Sequence, residues 1–225
     1  MKMISTENNF NYLFFALITL LFSTALLGVL QQEWAKTMVD VIILGVFVVG
    51  TYSVRTERSW IWVVGSMFTI LLGIFFLHEF LPETLATALH LTIILLFFVG
   101  SFLLSYKQIL LVGSVNRNIM IGSVVLYLLL GLIWTFIYLL LLLLFPDAFN
   151  GLEPLAWQDN FSRVAYYSFV TLTTLGYGDI SPKNSIAEFF VYLQTIVGVF
   201  YMAIIVSTLV SFRLAQIQSD SSAND

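Results

Sequence analysis

The sequence predicts an all-α membrane protein, and three observations lead to this fold class. Of the 225 residues, 60% are hydrophobic and only 10% are charged, whereas soluble domains carry about 25% charged residues. Apolar runs of about 20 residues recur along the chain, and each is long enough to cross a hydrocarbon core of about 30 Å. Short polar segments such as QQEW and RTER separate these runs. The pattern therefore predicts six transmembrane helices and one longer insert.

The six predicted helices divide the chain into regions. They cover residues 10–30, 36–54, 60–77, 83–106, 119–145 and 185–214. The first four form a peripheral domain (1–106), which an interfacial linker (107–118) joins to a second domain (119–213). The second domain carries the insert between the fifth and sixth helices. The polar tail, residues 214–225, has the composition of a disordered cytoplasmic segment.

Basic residues in the loops predict the orientation, because Lys and Arg collect on the cytoplasmic side. With the N-terminus inside, the cytoplasmic side holds Lys2, Arg55, Arg58, Lys107, Arg117 and Arg213, and the outer side holds Lys36, Arg163 and Lys183. We therefore expect a multi-pass plasma membrane protein with both termini in the cytoplasm. A cleaved signal peptide is the alternative for the first helix, but the run is long and no A-x-A site follows it. Cleavage would leave the other orientations unchanged.

Composition also excludes several classes of function. The chain has no cysteine, which rules out disulfides, thiolate metal sites and thiol catalysis. Its two histidines, His78 and His90, are twelve residues apart, which is not a metal-site spacing. No basic run is present, so nucleic acid is not an expected partner. No catalytic constellation is visible, and we expect neither an enzyme nor a cofactor.

The insert, residues 146–184, contains a short helix followed by the stretch TLTTLGYGDISP. The helix is predicted at 160–173, with Asp159 and Asn160 as N-cap residues. About 14 residues span about 21 Å, which reaches only part-way across the membrane. Irregular backbone is tolerated there only against protein or a watery cavity. We therefore predict a re-entrant half-helix and an extended return, with the negative end of the helix dipole near the membrane centre, where it favours a cation.

Residues 174–179, Thr-Leu-Gly-Tyr-Gly-Asp, match the T-x-G-Y-G-D selectivity-filter signature of potassium channels. The preceding YYSFVTLT is similar to the end of the pore helix in that family, and the close match covers about residues 166–182. The layout of six helices with one loop between the last two resembles the six-transmembrane tetrameric cation channels. The pore domain, 119–213, follows by layout, and the first four helices resemble the voltage-sensor domain of the family only in number.

The filter chemistry requires these residue types. A dehydrated potassium ion needs a cage of oxygens, which backbone carbonyls from four loops supply. The carbonyls expected to bind K⁺ are those of Thr174, Leu175, Gly176 and Tyr177, and the Thr174 hydroxyl adds the innermost ring. Carbonyls that face one axis require alternating backbone conformations, and Gly176 and Gly178 accept positive φ without a Cβ clash. Because the chain holds one such loop, we predict a homotetramer.

The resemblance also implies a set of supporting residues. The Tyr177 side chain is expected to point away from the axis and to pack against the pore helix, where Tyr166 and Tyr167 occupy the matching positions and Thr173 ends the helix. Asp179 is expected behind the outer mouth, hydrogen-bonded to these aromatic residues. A glycine-rich turn is the alternative interpretation, but the complete signature after an aromatic half-helix argues strongly against it. Leu175 replaces the commoner valine or isoleucine, and only its carbonyl faces the ion.

The sixth helix carries a candidate gate. Gly198 lies twenty residues after Gly178, and in the family a glycine near this place lets the inner helix bend. A small residue that permits close helix packing is an equally supported alternative. Val199, Met202 and Val206 share one helical face. We favour lining of the cavity below the filter over lipid-facing positions for these three.

The peripheral domain lacks the charges of a voltage sensor. Residues 59–106 contain no lysine or arginine, and each charge moved through the membrane field is worth about 2.3 kcal/mol per 100 mV. We therefore expect weak voltage dependence. Asp40 and His90 are functional candidates as ionisable residues within spans, and His90 could sense a proton or a ligand. However, Asp40 is shallow enough to reach water, and a lone histidine is more often satisfied by a neighbour. Ser185 and Glu188 have capping-box spacing at the start of the sixth helix.

The predicted function is a homotetrameric potassium-selective channel that conducts passively. A regulatory subunit that co-assembles with another channel is the first alternative, and its partner would be unknown. A transporter would carry several degenerate loops in one chain, and a non-selective cation channel would not need the intact G-Y-G sequence. Both are therefore less favoured.

Overall fold

The computed structural model describes residues 9–30, 33–53, 58–77, 80–111, 117–153 and 155–222. Within these ranges the helices are α1 (Asn9–Leu30), α2 (Glu33–Ser53), α3 (Arg58–Leu77), α4 (Glu83–Leu111), α5 (Arg117–Leu144), α6 (Trp157–Leu172) and α7 (Ser185–Ser222). A two-stranded antiparallel ribbon pairs β1 (Phe149–Asn150) with β2 (Ser181–Pro182). The all-α prediction is therefore confirmed, apart from this ribbon.

Five of the helices in the described ranges are long and apolar enough to cross a membrane, namely α1, α2, α4, α5 and α7. The apolar part described for α3, Trp60–Ile74, is shorter, so six spans stay a prediction. The 16 residues of α6 extend about 24 Å at 1.5 Å per residue. This helix lies in the insert, where the sequence predicts a half-helix.

Two helices are longer than predicted. α4 continues to Leu111, five residues into the predicted linker, and the linker residues 112–116 lie outside the described part of the chain. α7 continues to Ser222, whereas the sequence predicts a disordered tail from residue 214. An existing helix adds residues without a new nucleation cost, and Ala215 and Gln216 are favourable helix formers.

Both predicted N-caps are displaced from the observed ones. α6 begins at Trp157, so Asp159 and Asn160 lie in its first turn and neither is the N-cap. Trp157 and Phe161 are both buried one turn apart, and their packing favours the earlier start. In α7 the backbone N–H of Ala187 donates to Asn184 Oδ1 over 2.8 Å. Asn184 therefore caps the helix, one residue before the predicted capping box.

The core forms around α5. In α5, 67% of the span is buried within the single chain, compared with 17% in α7, so α7 lies on the surface of this chain. An aromatic series connects the peripheral helices to α6. Its ring pairs are Phe47–Phe97 at 3.7 Å, Phe97–Phe98 at 5.5 Å, Phe98–Phe136 at 5.4 Å and Phe136–Phe161 at 5.5 Å between centroids. The last pair places α6 against α5, and the other pairs connect α5 to α4 and α4 to α2.

The two ends of the helix bundle hold different elements and contacts. The insert end, as we name it, carries the first turn of α6 and both strands. At the opposite end the Phe10 N–H donates to Asn118 Oδ1 over 3.3 Å, and the Ser53 hydroxyl donates to the Asn9 carbonyl. The starts of α1 and α5 and the end of α2 therefore meet away from the insert.

Candidate functional site

The backbone of the loop after α6 alternates in conformation. Thr174, Gly176 and Gly178 have φ angles of +59°, +57° and +81°, while residues 175 and 177 between them do not have positive φ. The two glycines adopt the conformations that the sequence predicts. Thr174 was not predicted to do so, and a non-glycine residue in this region costs about 1–3 kcal/mol. Surrounding contacts must therefore hold it in place.

Hydrogen bonds to the last turns of α6 supply these contacts. The Thr174 N–H donates to the Thr171 carbonyl over 2.9 Å. The N–H groups of Leu175 and Gly176 both donate to the Val170 carbonyl, over 3.0 Å and 3.3 Å. In a planar trans peptide the N–H and the preceding C=O point in opposite directions. The carbonyls of Thr173, Thr174 and Leu175 therefore point away from α6, all toward the same side. Successive oxygens directed one way are the donor set that a dehydrated cation requires.

The end of α6 is closed by its own residues. The Thr173 N–H donates to Phe169 O over 3.0 Å, and its Oγ1 donates to the same carbonyl over 2.8 Å. Thr173 is the C-cap, with a right-handed φ of −83°. The positive φ angles begin at the next residue, so the helix ends where the loop conformation begins.

The structure brings Tyr166, Tyr177 and Asp179 together and places Tyr167 elsewhere. The rings of Tyr166 and Tyr177 are nearly parallel, with centroids 6.4 Å apart, and the Asp179 side chain lies close to Tyr166. Tyr167 is buried instead against Tyr138 of α5, with ring centroids 5.3 Å apart.

A buried polar network behind the loop joins α5, α6 and α7. Gln194 Nε2 donates to the Ser168 carbonyl over 2.9 Å and to Ser168 Oγ over 3.0 Å. The Ser168 hydroxyl donates to Gly131 O over 2.7 Å, and the Tyr138 hydroxyl donates to Gln194 Oε1. All three side chains are fully buried. This network was not predicted from the sequence, although a glutamine within an apolar span indicates a hydrogen-bond partner inside the protein.

The ribbon holds the segment that leaves the loop. Lys183 N–H donates to Ala148 O over 2.8 Å, which extends the pairing of β1 with β2. Gly151 follows β1 with a φ of +80°, and a Cβ there would lie 2.3 Å from the Asp179 carbonyl oxygen. Arg163 of α6 donates to the Gly151 carbonyl over 2.8 Å. The chain before α6 thus supports the backbone directly after the loop.

The candidate gate residues lie below the loop on α7. Gly198 is buried, and a Cβ at this position would lie 2.6 Å from the Leu172 carbonyl oxygen at the end of α6. This close approach supports the packing interpretation of Gly198. Val199 and Met202 are both 52% exposed in the single chain, which fits cavity-lining and lipid-facing positions alike. The side chain of Val206 lies outside the described residues.

The loop is open on the side away from α6. Residues 173–179 are all exposed in the single chain, including two large apolar side chains, Leu175 at 55% and Tyr177 at 67%. Across the described part of the chain, no group of three or more His, Cys, Asp or Glu side chains could hold a metal ion.

Comparison with known proteins identifies the region that contains the loop. Residues 123–214 match a protein family described as "Ion channel". This part of the chain is thus similar to the proteins of that family. The match includes every candidate filter, support and gate residue named above.

A curated relative gives a narrower similarity. Two-pore potassium channel 4 of Arabidopsis thaliana is 34% identical over 71 residues, which are 32% of this chain and 24% of the relative. The chain thus covers about a quarter of the length of that relative. No solved structure matches the chain. The family match and this similarity both point to ion-channel proteins.

Proposed function

We propose that four copies of this chain form a potassium-selective channel whose filter consists of residues 174–178. The observation that carries the proposal is the alternation of positive φ at Thr174, Gly176 and Gly178 within the sequence T-L-G-Y-G-D. Together with the N–H bonds to α6, it directs successive carbonyls to one side. Four such rows around an axis give stacked rings of oxygens that replace the hydration shell of K⁺.

The exposure of the single chain supports the assembly of identical copies. Leu175 and Tyr177 extend from the loop without cover, and α7 exposes Phe189, Tyr192, Ile196 and Phe200 by 44–60%. A neighbouring copy that packs against these side chains would cover them and bring its own loop to the same axis. A closed ring of four then completes a site to which each chain contributes one quarter.

The proposed channel also has a defined orientation in the membrane and a defined response to voltage. The insert end faces the extracellular side of the plasma membrane, both termini lie in the cytoplasm, and α3 is the sixth span. Because residues 59–106 contain no lysine or arginine, the peripheral helices carry little gating charge. Conduction is therefore weakly voltage-dependent, and the permeant ion is the only ligand that the pore needs.

A reversal-potential measurement tests the proposal. The purified protein is placed in a planar bilayer with potassium on one side and sodium on the other, and a value near the potassium equilibrium potential is expected. Gly176→Ala should lose this selectivity, because alanine at φ +57° is strained by about 1–2 kcal/mol. Gly45→Ala is the matched control, since a Cβ there meets nothing within 4 Å.

The other outcomes separate the alternatives. Wild-type currents that reverse near zero would contradict a selective filter. No current at any voltage would contradict an independent channel and would favour the regulatory-subunit alternative. Native mass spectrometry tests the assembly, because four chains of 25.5 kDa give about 102 kDa, and any other stoichiometry would contradict the tetramer.

A further inference from the structure

Three helices meet in a polar cluster at the insert end. Asp40 of α2 lies 3.7 Å from His90 of α4, measured between Oδ1 and Nε2. Gln158 in the first turn of α6 donates from Nε2 to Asp40 Oδ2 over 3.3 Å. One turn earlier on α2, Lys36 Nζ lies 3.5 Å from Asp159 Oδ2. The cluster thus connects the peripheral helices to the start of the helix that carries the filter loop.

One atom of this cluster has no hydrogen-bond donor. Asp40 Oδ1 is buried and has no hydrogen-bond partner, although buried polar atoms are normally paired. Its neighbour, His90 Nε2, is an acceptor when the imidazole proton is on Nδ1. A single added proton between these two atoms would create an ion pair or a hydrogen bond. The geometry is therefore that of a proton-binding site.

The Asp40–His90 pair is partly exposed, and two cavities border its neighbour Gln158. The side chains of Asp40 and His90 are each 32% exposed. A cavity of about 460 Å³ lies on one side, lined by Thr87, Trp157 and Gln158 among others. A second cavity of about 660 Å³ lies on the other side and includes Lys36 and Gln158. Neither cavity is lined by Asp40 or His90, so the access of a proton rests on the exposed third of these two side chains.

Among the described residues, His90 forms an ion pair with Asp40. The described charged groups that line this region are Asp40 and Lys36 from α2, Asp159 and Arg163 from α6, Glu83 from α4 and Glu153 from the loop before α6. Asp159 is paired with Lys36. On the α5 side the nearby cavity is lined by leucines, and the part of α3 described from Trp60 to Ile74 contains no titratable residue. Asp40 is thus the carboxylate that responds directly to a charge on His90.

We propose that the Asp40–His90 pair binds a proton from the extracellular solution and that this proton alters conduction through α6. Without the proton, the Asp40 carboxylate faces the positive, N-terminal end of the α6 dipole and accepts from Gln158. With the proton, the imidazolium compensates the carboxylate, so the pair between α2 and α4 tightens and its attraction for α6 weakens. The opposite end of α6 holds the N–H bonds of the filter loop, so a shift of the helix reaches the loop backbone.

Binding of the proton can be measured without any current. The His90 ring lies 5.5 Å from the Trp157 ring, and an imidazolium quenches indole fluorescence by accepting an excited electron. The fluorescence of Trp157 is obtained by subtracting the emission of Trp157→Phe from that of wild type, both as full-length protein in nanodiscs. We expect quenching as the pH falls from about 8 to about 5, the range in which histidine changes charge.

Three variants assign the quenching to the pair. It should vanish in His90→Gln and remain in His78→Gln, which removes the other histidine of the chain. In Asp40→Asn the midpoint should move to lower pH, because asparagine offers no negative charge to the imidazolium. Trp157 fluorescence that does not change with pH, or that changes equally in His90→Gln, would overturn the proton site.

Coupling to α6 is tested by hydrogen exchange and by ion flux. The test by ion flux rests on the proposed function. The test by amide exchange in residues 157–163 does not rest on it, once the exchange rates are corrected for the intrinsic effect of pH. Exchange and K⁺ flux should each change about two- to fivefold across the transition, the size expected for a charge at a helix N-terminus. Both changes should be absent in His90→Gln and present in His78→Gln.

The outcomes separate the two proposals. Quenching with unchanged exchange would overturn the coupling. Quenching and altered exchange without K⁺ flux at any pH would support the proton-sensitive contact and overturn the channel function. Flux that depends on pH equally in wild type and His90→Gln would show that another group controls conduction, and would overturn the role of this pair.

Discussion

Replacing Gly198 with alanine distinguishes a hinge in α7 from a packing contact. A hinge requires a flexible backbone, and alanine would stiffen the helix by its better helix propensity, about 1 kcal/mol. A packing contact requires the absence of a Cβ, because the Leu172 carbonyl oxygen would lie 2.6 Å from it. The two interpretations therefore predict effects of opposite sign on stability.

The magnitude follows from the distance. A carbon–oxygen contact needs about 3.3 Å, so α7 and the end of α6 must separate by about 0.7 Å. Overpacking of this kind costs about 1–3 kcal/mol, which the propensity gain offsets by about 1 kcal/mol. We expect Gly198→Ala to be less stable than wild type by about 0–2 kcal/mol. Gly45→Ala, where a Cβ meets nothing within 4 Å, should be more stable by about 0.5–1 kcal/mol.

The assay combines unfolding with conduction. Thermal unfolding in detergent compares the two alanine variants, and reversal potentials compare their potassium selectivity. Because Leu172 is directly followed by Thr173 and the filter loop, displacement of its carbonyl should reduce selectivity in Gly198→Ala alone. Equal stabilisation of both variants, with reduced channel opening and unchanged selectivity, would refute the packing argument and support a hinge.

Three further measurements test other parts of the site. Gln194→Met should destabilise the protein by about 1–3 kcal/mol in thermal unfolding, because the Tyr138 hydroxyl and Ser168 lose buried partners. Adding Tyr138→Phe should recover part of this lost stability. A double variant that recovers none of it would contradict the network. Gly151→Ala should lower potassium selectivity and stability more than Gly45→Ala, since the new Cβ at position 151 would lie 2.3 Å from the Asp179 carbonyl oxygen. Equal selectivity and stability of the two variants would count against support of the loop by the ribbon. A charge–voltage curve should give less than about one elementary charge per subunit, and several charges would refute the weak voltage dependence.

The helices and the loop glycines were predictable because their signals are local. Apolar runs indicated α1, α2, α4, α5 and α7 within a few residues at most ends, since span length is set by the thickness of the membrane. Positive φ at Gly176 and Gly178 followed from residue type, because glycine has no Cβ to clash. These features depend on the residues themselves rather than on distant contacts.

Other features depend on contacts that the sequence does not display. Threonine disfavours positive φ, yet the bond from Thr174 N–H to the end of α6 holds it there. The network around Gln194 joins residues 26 and 56 positions away, and each strand of the ribbon has only two residues, too few for a periodic pattern. The proton-sensitive cluster likewise needs three helices in place before its members meet.

The contact between the starts of α1 and α5 has a consequence for biosynthesis. Phe10 donates to Asn118, a residue 108 positions later, so at about 5–20 residues per second this partner emerges roughly 5–20 s afterwards. During that interval α1 can pack against α2, which follows it directly and which it contacts closely in the finished structure. The peripheral helices thus form a helical pair that accepts α5 on arrival. A substitution that weakens the α1–α2 contact should therefore lower the yield of assembled protein more than the activity of the molecules that do assemble.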